Sequence, residues 1–298
     1  MSGKFGLIGT ITYDRISYES RPSWEGVGGI LYQGAVLCSL RKKVFLYTNL
    51  GQELVSDVEK IIKKWPRLQR KGINHIPGPG NQVLLHYPES EERVEILRSV
   101  VPPLDPIIVI KDLPEFEMLI LILNSGYDIE LRDWRKIVCS ASCPIWIDIH
   151  SLPLSKELNV PRKYMPLPDW EKWVERVTFI QANEKEMASI LGHPEKEPSK
   201  ADMLHFGERT FDLGTKAVFI TLGKEGVLVM SPEGSKKICS FRVNKVVDTT
   251  GCGDVFCAGT AAGLVEGMDP FEAAAFGLKL ATKAVTARGI EETYIEVS

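Results

Sequence analysis

Residues 248–254 read Asp-Thr-Thr-Gly-Cys-Gly-Asp, and they hold the densest potential chemistry in the chain. Gly251 and Gly253 admit backbone conformations closed to other residues and let a ligand approach the chain closely. The run that follows, VFCAGTAAGLVEG, has the small-residue composition of a helix packed tightly against its neighbours. A helix starting here gathers the N–H groups of Gly251, Cys252 and Gly253 into a concavity suited to negative charge. Asp254, at its mouth, is positioned to take a proton from an attacking hydroxyl. Cradled anionic oxygens and a positioned base are what phosphoryl transfer needs. Capping a helix is an equally ordinary use of an aspartate, and the residues alone leave both roles open. The fragment is no dinucleotide fingerprint, which needs a third glycine at fixed spacing, and the chain has no Walker A sequence.

Elements must hold this loop in place. Short apolar runs at 5–9, 44–48, 107–110, 118–123, 145–149, 178–181, 218–222 and 227–230 read as strands. Amphipathic stretches at 30–41, 53–65, 130–139, 184–191, 199–213, 253–267 and 270–287 read as helices. Buried strands alternating with helices predict an α/β fold, a mainly parallel central sheet flanked by helices. Such sheets bind ligands at the carboxyl ends of their strands. Residues 10–27 and 73–104 break the alternation; turns and short strands there predict a small β lid over one domain spanning 1–298. Asp148 and His150, in WIDIHS, end a strand and so stand where they would face the cleft. A lone histidine there is more often structural, and contact with a substrate hydroxyl is the alternative.

Bulk properties narrow the partners. The 298 residues carry 36 basic and 39 acidic side chains, a net charge of −3 with no long run of either sign. That distribution predicts neither nucleic acid nor an anionic membrane as a partner. No segment approaches the ~18 uninterrupted apolar residues of a membrane helix, and the N-terminus lacks the pattern of a signal peptide. The six cysteines form no CxxC pair, and Cys139 and Cys143 lack a second pair to complete a zinc site. Reduced thiols and a cytoplasmic location are the expectation.

The segment 246–267 resembles the C-terminal signature of the ribokinase-like (PfkB) family of carbohydrate and nucleoside kinases. The family pattern DTTGAGDxF stands here as DTTGCGDVF, with Cys252 in the alanine place. The resemblance implies an anion hole at Gly251, Cys252 and Gly253, with Asp254 as catalytic base. It extends over nearly the whole chain. Residues 6–9 and Asp14 look like the family's first strand and substrate-binding aspartate, and Gly28-Gly29 like the glycine pair that hugs the substrate. ANEKEM, 182–187, resembles the NxxE element, implying that Asn183 and Glu186 surround the metal-bound phosphates, Glu186 through water. TLGKEG, 221–226, looks like the nucleotide-contacting turn and implies roles for Thr221, Gly223 and Gly226. A capping or turn role is the alternative for each short piece alone; their order and spacing argue against coincidence.

ATP and Mg²⁺ are the implied cofactors, with a monovalent cation near the segment matching Asp248. A homodimer formed through the lid is a further expectation. Departures from the pattern fall in the substrate half: Gln33 where Asn is usual, Gly51-Gln52-Glu53 for Gly-Asp-Asp, and Leu40-Arg41 for Leu-Gly. They leave the phosphate chemistry intact and argue against ribose or fructose as acceptor. The expected activity is transfer of the ATP γ-phosphoryl group to a hydroxymethyl group of a sugar, nucleoside or related polyol. Two other readings stand beside it: a non-catalytic ligand-binding or regulatory protein on the same fold, and an unrelated α/β enzyme in which DTTGCGD is a structural turn.

Overall fold

The computed structural model describes residues 3–20, 22–89, 93–243 and 245–292. Its strands are β1 (Lys4–Ile8), β2 (Thr12–Tyr18), β3 (Trp24–Val27), β4 (Lys43–Gly51), β5 (Leu68–Ile76), β6 (Asn81–Tyr87), β7 (Val94–Ser99), β8 (Met118–Ile122), β9 (Ile145–Asp148), β10 (Phe179–Asn183), β11 (Ala217–Thr221), β12 (Val227–Ser231) and β13 (Gly234–Ile238). Its helices are α1 (Leu31–Ser39), α2 (Val55–Lys64), α3 (Ile107–Ile110), α4 (Leu131–Ser140), α5 (Trp170–Val174), α6 (Glu184–Ile190), α7 (Lys200–Asp212), α8 (Cys252–Val265), α9 (Pro270–Ala284) and α10 (Gly289–Glu292).

Nine strands form the main sheet in the order β13-β12-β11-β10-β9-β8-β1-β4-β5, and β3-β2-β6-β7 form a second, smaller one. The run from β11 to β5 is parallel throughout; only β12 and β13 run antiparallel at the edge. Both faces of the main sheet are covered. Val44, Leu46, Trp146 and Phe219 join one core with α1, α8 and α9, and Leu119, Ile147, Ile180 and Val218 join another with α4, α6 and α7. That double cover explains why β8, MLILI, is buried at every position. Trp146 stacks on Phe219 at 4.9 Å within the first of these cores. The small residues of α8 meet α9 directly: a Cβ on Gly259 would lie 2.8 Å from the Gly277 Cα. Among the described residues no helix is long and apolar enough to cross a membrane.

Two local expectations change. Residues 107–110, read as a strand, form the short helix α3. Pro106 holds the helical φ of −64° and its carbonyl accepts from the N–H groups of Val109 and Ile110. A four-residue apolar run carries no periodicity to tell the two apart. Residues 73–76, assigned to the lid, end β5 instead, in register with the 48–51 end of β4 in the main sheet. The lid strands themselves, β2 and β3 from 10–27 and β6 and β7 from 73–104, fall within the expected segments and share a core of Ile16, Val83, Leu85 and Leu97. Strand β13 and helices α5 and α10 were not anticipated.

Candidate active site

The parallel register brings distant polar residues to one edge. Asp148 ends β9 and pairs with Ile122 on one side and Gln181 on the other, while Asn183 pairs with Thr221. All sit at carboxyl ends of adjacent strands, where α8 also begins. Two adjoining cavities open there. One, of 60 Å³, has Asp14, Glu95, Asn124 and Tyr32 in its wall; the other, of 190 Å³, has Asp148, Gln181, Asn183, Glu186 and Thr221. Arg93, His150, Gly251 and Asp254 border both. A separate groove of 1190 Å³ lies at the amino ends of β8 and β10 and shares no residue with either cavity.

Asp254 occupies the first turn of α8 and is half-buried. Gly251 caps that helix at φ 76°, in the left-handed region, and a Cβ there would meet the Tyr32 ring at 2.6 Å. Gly253 is open, its nearest neighbour for a Cβ being Gln181 Nε2 at 3.6 Å. The Cys252 N–H donates to the Thr249 carbonyl at 3.3 Å, so it is partly engaged within the turn. Gln181 Nε2 donates to Asp148 Oδ2 at 3.1 Å and to the Gly253 carbonyl at 3.2 Å, fixing α8 to the sheet edge. Gln33, fully buried on α1, donates its amide to Asp254 Oδ1.

Burial pushes the Asp254 carboxyl up to about 7; the Gln33 hydrogen bond opposes that rise and the Asp14 charge adds to it. Burial likewise raises Asp14 to about 7, against a hydrogen bond from Thr12. Such values suit a base working near neutrality. His150 is driven down to about 4 by burial and so is neutral at pH 7. Its φ of 39° is uncommon for a residue other than glycine.

Asn183 and Glu186 form a capping box on α6. Asn183 Oδ1 accepts from the Lys185 and Glu186 N–H groups at 2.9 Å, and Glu186 Oε2 accepts from the Asn183 N–H at 2.8 Å. Both alternatives weighed from the sequence thus coincide: the pair caps the helix and also borders the larger cavity. Burial raises Glu186 to about 8, and Asp148 goes well above the usual range through burial and then the charges of Glu186 and Asp254. Asp148 thus faces the charges of both Glu186 and Asp254 in a polar cavity, an arrangement that fits a bound cation. Among the described residues no group of three or more His, Cys, Asp or Glu is close enough to ligate a metal directly. A hydrated ion held through water fits that donor set.

The remaining expected residues divide. A Cβ on Gly28 would lie 2.1 Å from Asp14 Oδ2, and one on Gly29, at φ 64°, would lie 2.2 Å from the Thr10 carbonyl. Gly28 therefore clears the space in which the Asp14 carboxylate sits, and Gly29 allows the close approach to the Thr10 backbone. Gln33 does not line the smaller cavity; its amide is turned to Asp254. Thr221 borders the larger cavity but Gly223 and Gly226 do not. Gly226, at φ 108° with the Ile238 carbonyl 2.0 Å from a Cβ, is required by the turn before β12. Sequence reasoning missed Arg93, Glu95, Asn124 and Gln181. Asn124 was findable as a polar residue just after a strand. Arg93 and Glu95 arrive with the lid, and no local pattern marks them.

Residues 153–296 match the pfkB family of carbohydrate kinases. A sugar kinase of Archaeoglobus fulgidus, itself uncharacterised, is 29% identical over 140 residues, which span 47% of this chain and 52% of that protein's length. A deoxyribokinase of Salmonella typhi is 23% identical over 313 aligned residues, covering 97% of this chain and 94% of that one. The solved structure of Arabidopsis thaliana ribokinase complexed with ribose and ATP superposes with a TM-score of 0.74 at 18% identity, covering 98% and 96% of the two chains. That likeness establishes the fold.

Proposed function

We propose that the chain, whose residues 153–296 match the pfkB family of carbohydrate kinases and whose fold is ribokinase-like, transfers the γ-phosphoryl group of ATP to a hydroxymethyl group of a sugar, nucleoside or related polyol. One observation carries the reading. Asp254, a carboxyl raised to about 7, stands in the wall common to a hydroxyl-binding cavity and an acidic cavity.

Asp14 and Asn124 hold the acceptor's hydroxyls in the smaller cavity, where the Asn124 Oδ1 and Tyr32 hydroxyl are buried and otherwise unpartnered. Asp254 accepts the proton of the attacking hydroxyl. The N–H groups at 251–253 bind the oxygens of the transferred group, and Arg93 adds positive charge from the lid side. Mg²⁺ bound with ATP would neutralise phosphate charge, and Asn183 and Glu186, with Asp148 beside them, would hold it through water. The lid keeps water from the transfer. Thr221, in the wall of the acidic cavity, would contact the phosphates, and the Gly223 and Gly226 turn supports that edge. A cytoplasmic site of action accords with ATP as donor.

A screen of the purified chain with ATP and Mg²⁺ against sugars, sugar acids, cyclitols and nucleosides tests the reading through ADP release. Turnover of one class supports it. Ligand-dependent thermal stabilisation with no ADP release across the panel would leave the non-catalytic binding protein instead.

A further inference from the structure

The lid grips the loop of the anion hole at one carboxylate. Asp248 is 3% exposed and stands three residues before Gly251. Tyr18 of β2 donates its hydroxyl to Asp248 Oδ1 at 2.9 Å, and Trp24 of β3 donates its indole N–H to Oδ2 at 3.1 Å. The Thr250 N–H donates to Oδ1 at 2.9 Å. Tyr87 of β6 stacks on Tyr18, ring centroids 5.2 Å apart, and its hydroxyl bonds the Thr250 hydroxyl at 3.0 Å. From the opposite side, the Val247 and Asp248 N–H groups both donate to the Val285 carbonyl, at 2.7 and 3.2 Å, where α9 ends.

A carboxylate offers about four lone-pair positions, and three donors already occupy those of Asp248. The resemblance to the kinase family implied a monovalent cation here. The residues present do not fit one, because the positive ends of an O–H and two N–H groups point at the oxygens such an ion would need. We propose that Asp248 is the catch of the lid: Tyr18 and Trp24 on Asp248, with Tyr87 on Thr250, hold loop 248–253 in its anion-binding shape, with no monovalent ion at that carboxylate. These are positioning residues, acting on the phosphate site through the loop. Because all three side-chain contacts run from the lid sheet to one loop, losing them releases loop 248–253 and couples the lid to the anion hole. The effect on rate rests on the kinase reading; the bonds and the ion preference do not.

The test uses the full chain and the double variant Tyr18→Phe/Trp24→Phe, which keeps an aromatic ring at each position and removes both donors, with Trp24→Phe alone as the control for the smaller ring. Thermal midpoints of the parent in KCl, NaCl and choline chloride at equal ionic strength should coincide. A rise specific to K⁺ that saturates with concentration would overturn the proposal. Hydrogen exchange of the 249–253 amides should quicken about tenfold or more in the double variant, while β8 and β9 are unchanged. Unaltered exchange in that loop would equally overturn it. With ATP and the best acceptor of the screen, the double variant should lose roughly tenfold in kcat and gain roughly tenfold in acceptor KM, with KM for ATP within about twofold. Parent-like kinetics would refute the coupling. If no acceptor is turned over, the kinase reading fails, and the melting and exchange results still decide this one.

Discussion

Gln33 and Asp254, 221 positions apart in sequence, share a hydrogen bond between α1 and α8 in which the buried amide donates to the carboxylate. The bond favours the charged form of Asp254 and opposes the rise that burial imposes. Gln33→Met keeps the volume and removes the donor, so the carboxyl should move higher. The acid limb of kcat/KM should then shift to higher pH relative to the parent. A pH–rate profile checks this, and superimposable limbs would detach Gln33 from the base. Asp254→Asn should keep ligand binding and lose ~10²–10⁴ in turnover, as expected when a general base is removed. Turnover within about twofold of the parent would take Asp254 out of that role.

The two glycines flanking Cys252 should fail in different ways. At Gly253 a methyl group meets nothing nearer than 3.6 Å, so Gly253→Ala should leave stability within about 0.5 kcal/mol. It should still lower turnover, because the methyl group intrudes where oxygens approach the backbone. Gly251→Ala meets Tyr32 at 2.6 Å in a left-handed conformation and should cost on the order of 1–3 kcal/mol in urea unfolding. A destabilised Gly253→Ala, or one with unchanged kinetics, would place the anion site elsewhere.

The buried acids give the stability a direction with pH. Asp14 and Asp254 at about 7 and Glu186 at about 8 hold protons in the fold that an unfolded chain has already lost. Between the ordinary carboxylate range and those values the folded state binds more protons, so stability falls as pH rises through 7 and 8. Mg²⁺ prefers the ionised carboxylates and should therefore raise the thermal midpoint more at pH 8 than at pH 6. Glu186→Gln should shrink that difference. Equal Mg²⁺ shifts at both pH values would speak against a cation among these groups.

Asp14 is 6% exposed in the wall of the smaller cavity, between lid and body. Asp14→Ala should cost the acceptor about 2–4 kcal/mol in kcat/KM, the loss expected when a buried hydrogen-bonding partner is deleted. The KM for ATP should barely move. Ribose and fructose 6-phosphate should be poor acceptors, given the departures around Gln33 and residues 51–53. Ribose turnover near a typical kcat/KM of ~10⁵ M⁻¹s⁻¹ would overturn the last point.

The sequence by itself determined the strand–helix alternation, the lid segments and the 248–254 loop, because each rests on neighbours in the chain. Buried strands read as apolar runs, and a glycine-bracketed helix start reads as a turn whatever surrounds it. The tertiary structure decided what those pieces face. Arg93 and Glu95 enter the site only because the lid sheet folds over strand ends remote from it in sequence. Gln33 could be seen to differ from the usual Asn, but only the packing of α1 on α8 turns its amide to Asp254. The raised carboxyls of Asp148 and Glu186 come first from burial, with the Glu186 charge adding at Asp148 and the Glu95 charge at Glu186, none of which spacing records. Residues 107–110 failed for a related reason: four apolar residues satisfy a strand or a helix equally, and Pro106 with its surroundings chose the helix. Local conformation is written in local pattern, whereas charge, burial and partners depend on contacts that form only when the chain closes on itself.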